Sequence, residues 1–116
     1  MSLKPAHQNF RIWKGATFRA FLTLLLNGNP WEDLTSFSGL LEIRKEPEKG
    51  EPLLTLSTDN GRIIMKPQAT IELYIPASTT QELSWEEGVY DLLVTAPGPE
   101  GDTTVLLFGG FLVRGV

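Results

Sequence analysis

The segment Thr70–Ile75, which reads TIELYI, decides the fold class of this chain. Its apolar residues alternate with other residues, and this is the period of a β-strand with one buried face and one solvated face. The side chains expected inside are Ile71, Leu73 and Ile75, and those expected outside are Thr70, Glu72 and Tyr74. Pro76 ends the segment, because proline has no backbone N–H to donate within a sheet.

Similar patterns recur roughly every 8 to 15 residues, with Gly, Pro, Asn and Asp between them. The other predicted strands are Ala16–Leu26, Gly39–Lys45, Leu53–Ser57, Arg62–Lys66, Gly88–Thr95, Thr103–Phe108 and Gly110–Arg114. Thr58–Gly61 has the composition of a hairpin turn, Gly109-Gly110 that of a bulge or bend, and Ala77–Glu87 is the one helix candidate. The spacing predicts an all-β sandwich or a small barrel.

The first of these strands is more apolar than one sheet face requires. Its second half is a continuous apolar run. The face that points away from the predicted core therefore also carries apolar residues, Phe21 and Leu25. A strand without alternation is buried on both faces or lies against another subunit. Phe21 and Leu25 are therefore candidate interface residues.

Length and charge limit the classes of partner. The chain has 116 residues, enough for one domain at residues 10–116, preceded by a polar, extended arm at residues 1–9 that we expect to order against a partner. The net charge is −4 with scattered Lys and Arg, so we expect no nucleic-acid partner. We also expect no membrane partner and no signal peptide, hence synthesis in the cytoplasm.

Residues that could carry chemistry are few. The chain has one histidine, His7, and no cysteine, so we expect no metal site and no cofactor. We find no nucleophile elbow and no phosphate-binding loop. We therefore expect no enzymatic activity; a small enzyme with Glu46, Asp59 or Glu87 as its acid is a minor alternative.

The three tryptophans are the remaining candidates for contact with a ligand or partner. Trp13, Trp31 and Trp85 fall at or near predicted loops. Tryptophan can anchor an interface or stack on a sugar, but it also covers the end of a small core. We favour core capping and keep all three as possible contact residues.

The order of the short motifs resembles a family of small phage and prophage tail-associated β-domains. The motifs that carry the resemblance are KGATF at 14–18, GNPWEDLTSF at 28–37, LEIR at 41–44, LTLS at 54–57, NGRI at 60–63, IELYIPA at 71–77 and WEEGVYDL at 85–92. Each motif taken alone is only a turn signal joined to a strand signal, so the resemblance rests on the order and spacing of the motifs. Ala16 replaces a common acid and Ser36 a common glycine.

The resemblance implies an immunoglobulin-like antiparallel β-sandwich of about seven to eight strands with one short helical crossover. It also implies a virion structural protein of the tail or baseplate that joins tail components or fibres. Its partners would be other tail proteins and further copies of itself. A carbohydrate- or receptor-binding module and a capsid cement protein are the alternatives. Tyr90 resembles a tyrosine corner, with its hydroxyl on a backbone group, and Asp33 is expected to bond the backbone of Thr35.

Overall fold

The computed structural model describes residues 5–26, 29–30, 33–47 and 50–115. In this part of the chain, nine strands form two sheets, a two-strand ladder lies beside them, and one short helix is present. The elements are β1 (Ala6–His7), β2 (Phe10–Trp13), β3 (Phe18–Thr23), β4 (Leu25–Leu26), β5 (Asn29–Pro30), β6 (Ser38–Arg44), β7 (Leu54–Ser57), β8 (Ile63–Lys66), β9 (Thr70–Ile75), α1 (Ala77–Gln81), β10 (Glu87–Thr95) and β11 (Thr103–Arg114). The predicted all-β sandwich with one short helix is confirmed.

The large sheet has the strand order β1–β11–β10–β6–β7, with β2 also paired to β11. Its central strands are antiparallel, but β1 and β2 run parallel to β11. The expectation of a purely antiparallel sandwich is therefore wrong at this edge. Parallel neighbours need a long connection, and here nearly the whole domain lies between the two strands.

The small sheet has the order β3–β9–β8 and is antiparallel throughout. The strands β11, β10 and β6 in one sheet and β3, β9 and β8 in the other give the strand arrangement of immunoglobulin sandwiches. Both β3 and β8 are edge strands of the small sheet.

The core lies between the sheets and takes side chains from both. Ile71, Leu73 and Ile75 are fully buried, as predicted. The other large side chains that are fully buried are Ile12, Leu34, Leu41, Ile43, Leu56, Ile63, Thr80, Leu92 and Phe111. The alternation in TIELYI therefore placed the inward face of the central small-sheet strand correctly.

The chain crosses between the sheets at Lys14–Thr17, and α1 fastens this turn. The Thr80 hydroxyl donates to the Ala16 carbonyl at 2.9 Å and accepts from the Gly15 N–H at 3.1 Å. Thr80 is the fully buried residue of α1. One buried threonine thus satisfies the backbone of the turn by which the chain leaves the large sheet.

Several local predictions need correction. The segment predicted as one strand to Leu26 is interrupted at Leu24, where the Leu24 N–H bonds the Ala69 carbonyl. The turn at Thr58–Gly61 is not a hairpin within a sheet, because β7 pairs with β6 and β8 with β9. Gly109-Gly110 lies inside β11, and the irregularity in register falls opposite Leu92/Leu93.

Candidate functional site

The outer side of the small sheet carries the most exposed aromatic side chain in the described structure. We define the small-sheet face as Arg19, Phe21, Thr23, Ile64, Lys66, Thr70, Glu72 and Tyr74. Phe21 is 61% exposed and Ile64 is 37% exposed. Both lie opposite Glu72, one on each neighbouring strand. Phe21 therefore faces outward, and the described part of the chain leaves most of its side chain uncovered.

Glu72 lies between these apolar side chains and is itself nearly covered. Its side chain is 5% exposed, whereas the alternation predicted a solvent-facing residue. The carboxylate accepts a hydrogen bond from the Arg19 guanidinium and pairs with Lys66 Nζ at 3.3 Å. A buried carboxylate is tolerated because two cations compensate for its lost hydration. The apolar side chains and the ion pairs together give this face a defined shape.

The same face carries an excess of positive charge. The Arg19 guanidinium lies 4.4 Å from the Tyr74 ring centre, and Arg62 lies 5.9 Å from it. Arg19 and Lys66 thus pair with the single carboxylate of Glu72, and Arg62 adds a third cation beside Tyr74, while the whole chain has a net charge of −4. A cation over an aromatic ring is attracted by the negative face of that ring, so Tyr74 favours the position of both guanidinium groups.

The backbone of β3 is open on its outer edge. The bond from the Leu24 N–H to the Ala69 carbonyl fixes which residues of β3 bond β9. In an antiparallel pair, alternate residues point their N–H and C=O to opposite sides. Phe18, Ala20 and Leu22 therefore bond β9, while Arg19, Phe21 and Thr23 present theirs to the free edge. No described residue bonds these six groups.

The other predicted contact residues do not join this face. Trp13, at the end of β2 in the large sheet, is 46% exposed, and the Arg11 guanidinium lies 5.6 Å from its ring centre. Trp85 packs partly buried against the core, which favours the capping interpretation, and its indole N–H has no acceptor among the described residues. Leu25 lies in β4, but its side chain is outside what the structure describes, as is all of Trp31.

The N-terminal arm is held by the chain's own large sheet. The Tyr90 hydroxyl donates to the Gln8 carbonyl at 2.7 Å, and the Gly110 N–H donates to Asn9 Oδ1 at 2.9 Å. Burial is the main cause that raises the pKa of Tyr90 above its ordinary value. The buried ring and backbone acceptor agree with the tyrosine corner that the resemblance implies, but the acceptor belongs to the arm. From Ala6 onward, the described part of the arm pairs with β11 of its own chain.

A groove of about 580 Å³ lies on the outer side of the large sheet. The His7 and Phe108 rings meet edge to face at 5.1 Å, and Phe108 is 41% exposed. Glu42 and Asp91 lie directly opposite each other in neighbouring strands, and Arg44 bonds Glu42 at 3.1 Å. No sequence pattern predicted this groove; outward-facing residues of β10 and the glycines at 109–110 of β11 line it.

The described residues contain no group of three or more His, Asp or Glu side chains that could hold a metal ion. The acids considered as catalytic candidates, Glu46, Asp59 and Glu87, are exposed. None of the helices in the described ranges is long and apolar enough to span a bilayer.

Asp33 has the local role expected of it. Its Oδ1 accepts the Thr35 N–H at 3.0 Å and the Thr35 hydroxyl at 2.9 Å. The backbone bond is the main cause that lowers the pKa of Asp33 below its ordinary value. This turn leads the chain into β6.

No family model matches the chain, and no curated protein matches it.

Proposed function

We propose that the chain is a phage virion structural protein of the tail or baseplate, an assembly module that joins tail components or fibres. The observation that carries the proposal is the small-sheet face with its open β3 edge. Phe21 and Ile64 offer apolar area there, and Glu72 is already compensated, so burial of the face leaves no unpaired carboxylate. Exposed apolar residues beside organised polar groups are typical of protein–protein contact sites.

The motif order that resembles tail-associated β-domains supports the location. The motifs are turn and strand signals with structural roles: Asp33 fixes the turn before β6, and Tyr90 fastens the arm. Residues that serve turns and packing, with an adhesive face, suit a component of a repeated assembly.

Mass spectrometry and gold labelling of purified particles test this function. We expect several copies per particle, located on the tail. Replacing Phe21 and Ile64 together by serine should lower incorporation at least tenfold, because hot-spot residues carry most of the binding energy of an interface. Phe108→Ser on the opposite sheet is the matched control and should incorporate normally. Particles that lack the protein would overturn the proposal, and labelling on the capsid would favour a cement protein.

A carbohydrate- or receptor-binding module is the second candidate, and the large-sheet groove favours it. The groove combines an exposed ring, Phe108, with the carboxylates of Glu42 and Asp91. Its volume is in the range of small-ligand sites, roughly 300–1,000 Å³. An aromatic platform with nearby hydrogen-bonding acids suits a sugar ring.

Glycan-array binding tests this second candidate. We expect Phe108→Ala to abolish glycan binding and Phe21→Ala to retain it, since Phe21 lies on the other sheet. A folded wild-type chain that binds no glycan would exclude the sugar interpretation.

A further inference from the structure

We propose that the open edge of β3 pairs with the β3 edge of a second copy of this chain, antiparallel and centred on Phe21. The result is one continuous sheet with three strands from each copy. This inference rests on the proposed function as an assembly module and names the partner of its adhesive face.

The backbone supplies the first argument. Arg19, Phe21 and Thr23 direct three N–H and three C=O groups to the uncovered edge. An open strand edge is a template for pairing with another chain. Among antiparallel registers, the one centred on Phe21 places Phe21 opposite itself and Arg19 opposite Thr23. That register uses all three residues and therefore forms six backbone hydrogen bonds.

The side chains are compatible with this register. Phe21, which is 61% exposed, contacts its own equivalent, and aromatic cross-strand pairs stabilise antiparallel sheets. Arg19 faces a threonine of the other copy and already pairs with Glu72 of its own chain. No like charges meet across the two strands, so a second copy is electrostatically acceptable at this edge.

Other described edges are shorter or protected. β7 and β8 have four residues each, and β8 ends at Lys66 before a proline. Short strands, lysine and proline are common protections against edge pairing. β3 has six residues, with neither lysine nor proline within it. Its edge is therefore the best suited of these to accept a strand.

Cysteine crosslinking tests the register directly, because the chain contains no native cysteine. Opposed residues of a hydrogen-bonded antiparallel pair have Cα atoms about 5.5 Å apart, within disulfide range. Phe21→Cys should therefore form a disulfide dimer under mild oxidation. Arg19→Cys should not crosslink to itself, since four residues of offset place these positions about 14 Å apart, but it should crosslink to Thr23→Cys. Ile64→Cys, on the same face but on β8, is the matched control and should stay monomeric.

Sedimentation equilibrium measures the association without crosslinks. The wild-type chain should show a reversible monomer–dimer equilibrium. Phe21→Lys should raise the dissociation constant at least ~30-fold, because it replaces an aromatic pair by opposed like charges. Ile64→Lys should leave the constant within about threefold, as expected for a residue outside the contact. A wild-type chain that stays monomeric up to about millimolar concentration, the weak limit of specific association, would overturn the inference.

The outcomes separate this inference from the proposed function. Particles that contain the protein but show no Phe21→Cys dimer would overturn the inference alone. Crosslinks from Phe21→Cys to a chain of different mass would identify a heterologous strand as the occupant and would also overturn it. A chain that dimerises through β3 but is absent from particles would overturn only the proposed function.

Discussion

Replacing Thr80 by valine tests how the two sheets are joined. The hydroxyl bonds the Ala16 carbonyl and the Gly15 N–H, and it also lies 3.1 Å from the Ala77 carbonyl. Valine has almost the same shape, so the buried volume is kept. The substitution removes the hydroxyl that fixes the turn between β2 and β3.

The magnitude follows from the groups left unpaired. A buried polar group without a partner costs about 1–3 kcal/mol. Gly15 and Ala16 are exposed residues, so water compensates part of this cost. We therefore expect a loss of about 2 kcal/mol in the free energy of unfolding. For 116 residues, the unfolding entropy of about 2.1 cal/mol/K per residue converts this loss into a fall of about 8 °C in Tm.

Urea unfolding and calorimetry measure both quantities. Thr80→Ser keeps a hydroxyl and should recover at least half of the lost stability. Thr79→Val makes the same chemical change one residue earlier, at a side chain that is not buried, and should stay within about 0.5 kcal/mol of wild type. If Thr80→Val is no less stable than Thr79→Val, the turn does not depend on this hydroxyl and the reasoning fails.

Three further substitutions test the arm and the β6 turn. Tyr90→Phe should lower the free energy of unfolding by about 1 kcal/mol and speed hydrogen exchange at the Gln8 N–H, which bonds the Phe108 carbonyl. The pKa of Tyr90 is raised in the folded chain, so the contribution of its hydroxyl to the free energy of unfolding is complete below the ordinary pKa of 10.0 and is lost at higher pH. The free energy of unfolding of Tyr90→Phe should therefore fall less steeply with rising pH than that of the wild type. Gly109→Ala should cost roughly 1–3 kcal/mol by urea unfolding, because a Cβ would overlap the Gln8 carbonyl oxygen; Gly110→Ala, whose nearest neighbours would lie at 3.4 and 3.6 Å, should cost much less. Asp33→Asn should destabilise the chain at neutral pH, and the difference from wild type should shrink as the pH falls below the ordinary aspartate pKa of 3.8, because a lowered carboxylate pKa contributes stability that is lost as the pH falls through the folded-state pKa. An equal effect at neutral and at low pH would contradict the charge-dependent role of Asp33.

Local sequence patterns predicted the strands well where one face is buried. Thr70–Ile75 has the predicted bounds, and Gly39–Lys45 is shifted by one residue. Period-two alternation reports the contrast between a core and a solvated face, so it serves best for central strands. Asp33 was predictable because its bond to Thr35 spans only two residues.

Features that depend on distant residues were not predictable in this way. The alternation in Thr70–Ile75 predicts that Glu72 faces solvent. Its burial depends on ion pairs with Arg19 and Lys66, which lie on two other strands. The groove requires His7 and Phe108 to meet, although they are far apart in sequence. The sequence pattern indicated that Phe21 is an apolar residue outside the core. Only the strand order shows that no described strand pairs with the outer edge of β3, where Phe21 lies.

The course of the described part of the arm explains why no described strand pairs with the outer edge of β3. In immunoglobulin sandwiches the first strand lies beside the second in the same sheet, and that position would cover β3. Here the first strands lie beside β11 instead. Gly109 permits this close approach, and the Tyr90 hydroxyl holds the Gln8 carbonyl. Because the first strands pair with the large sheet, they leave the β3 edge of the small sheet open to a partner. The contacts of the arm and the proposed pairing of β3 therefore both follow from the same strand order.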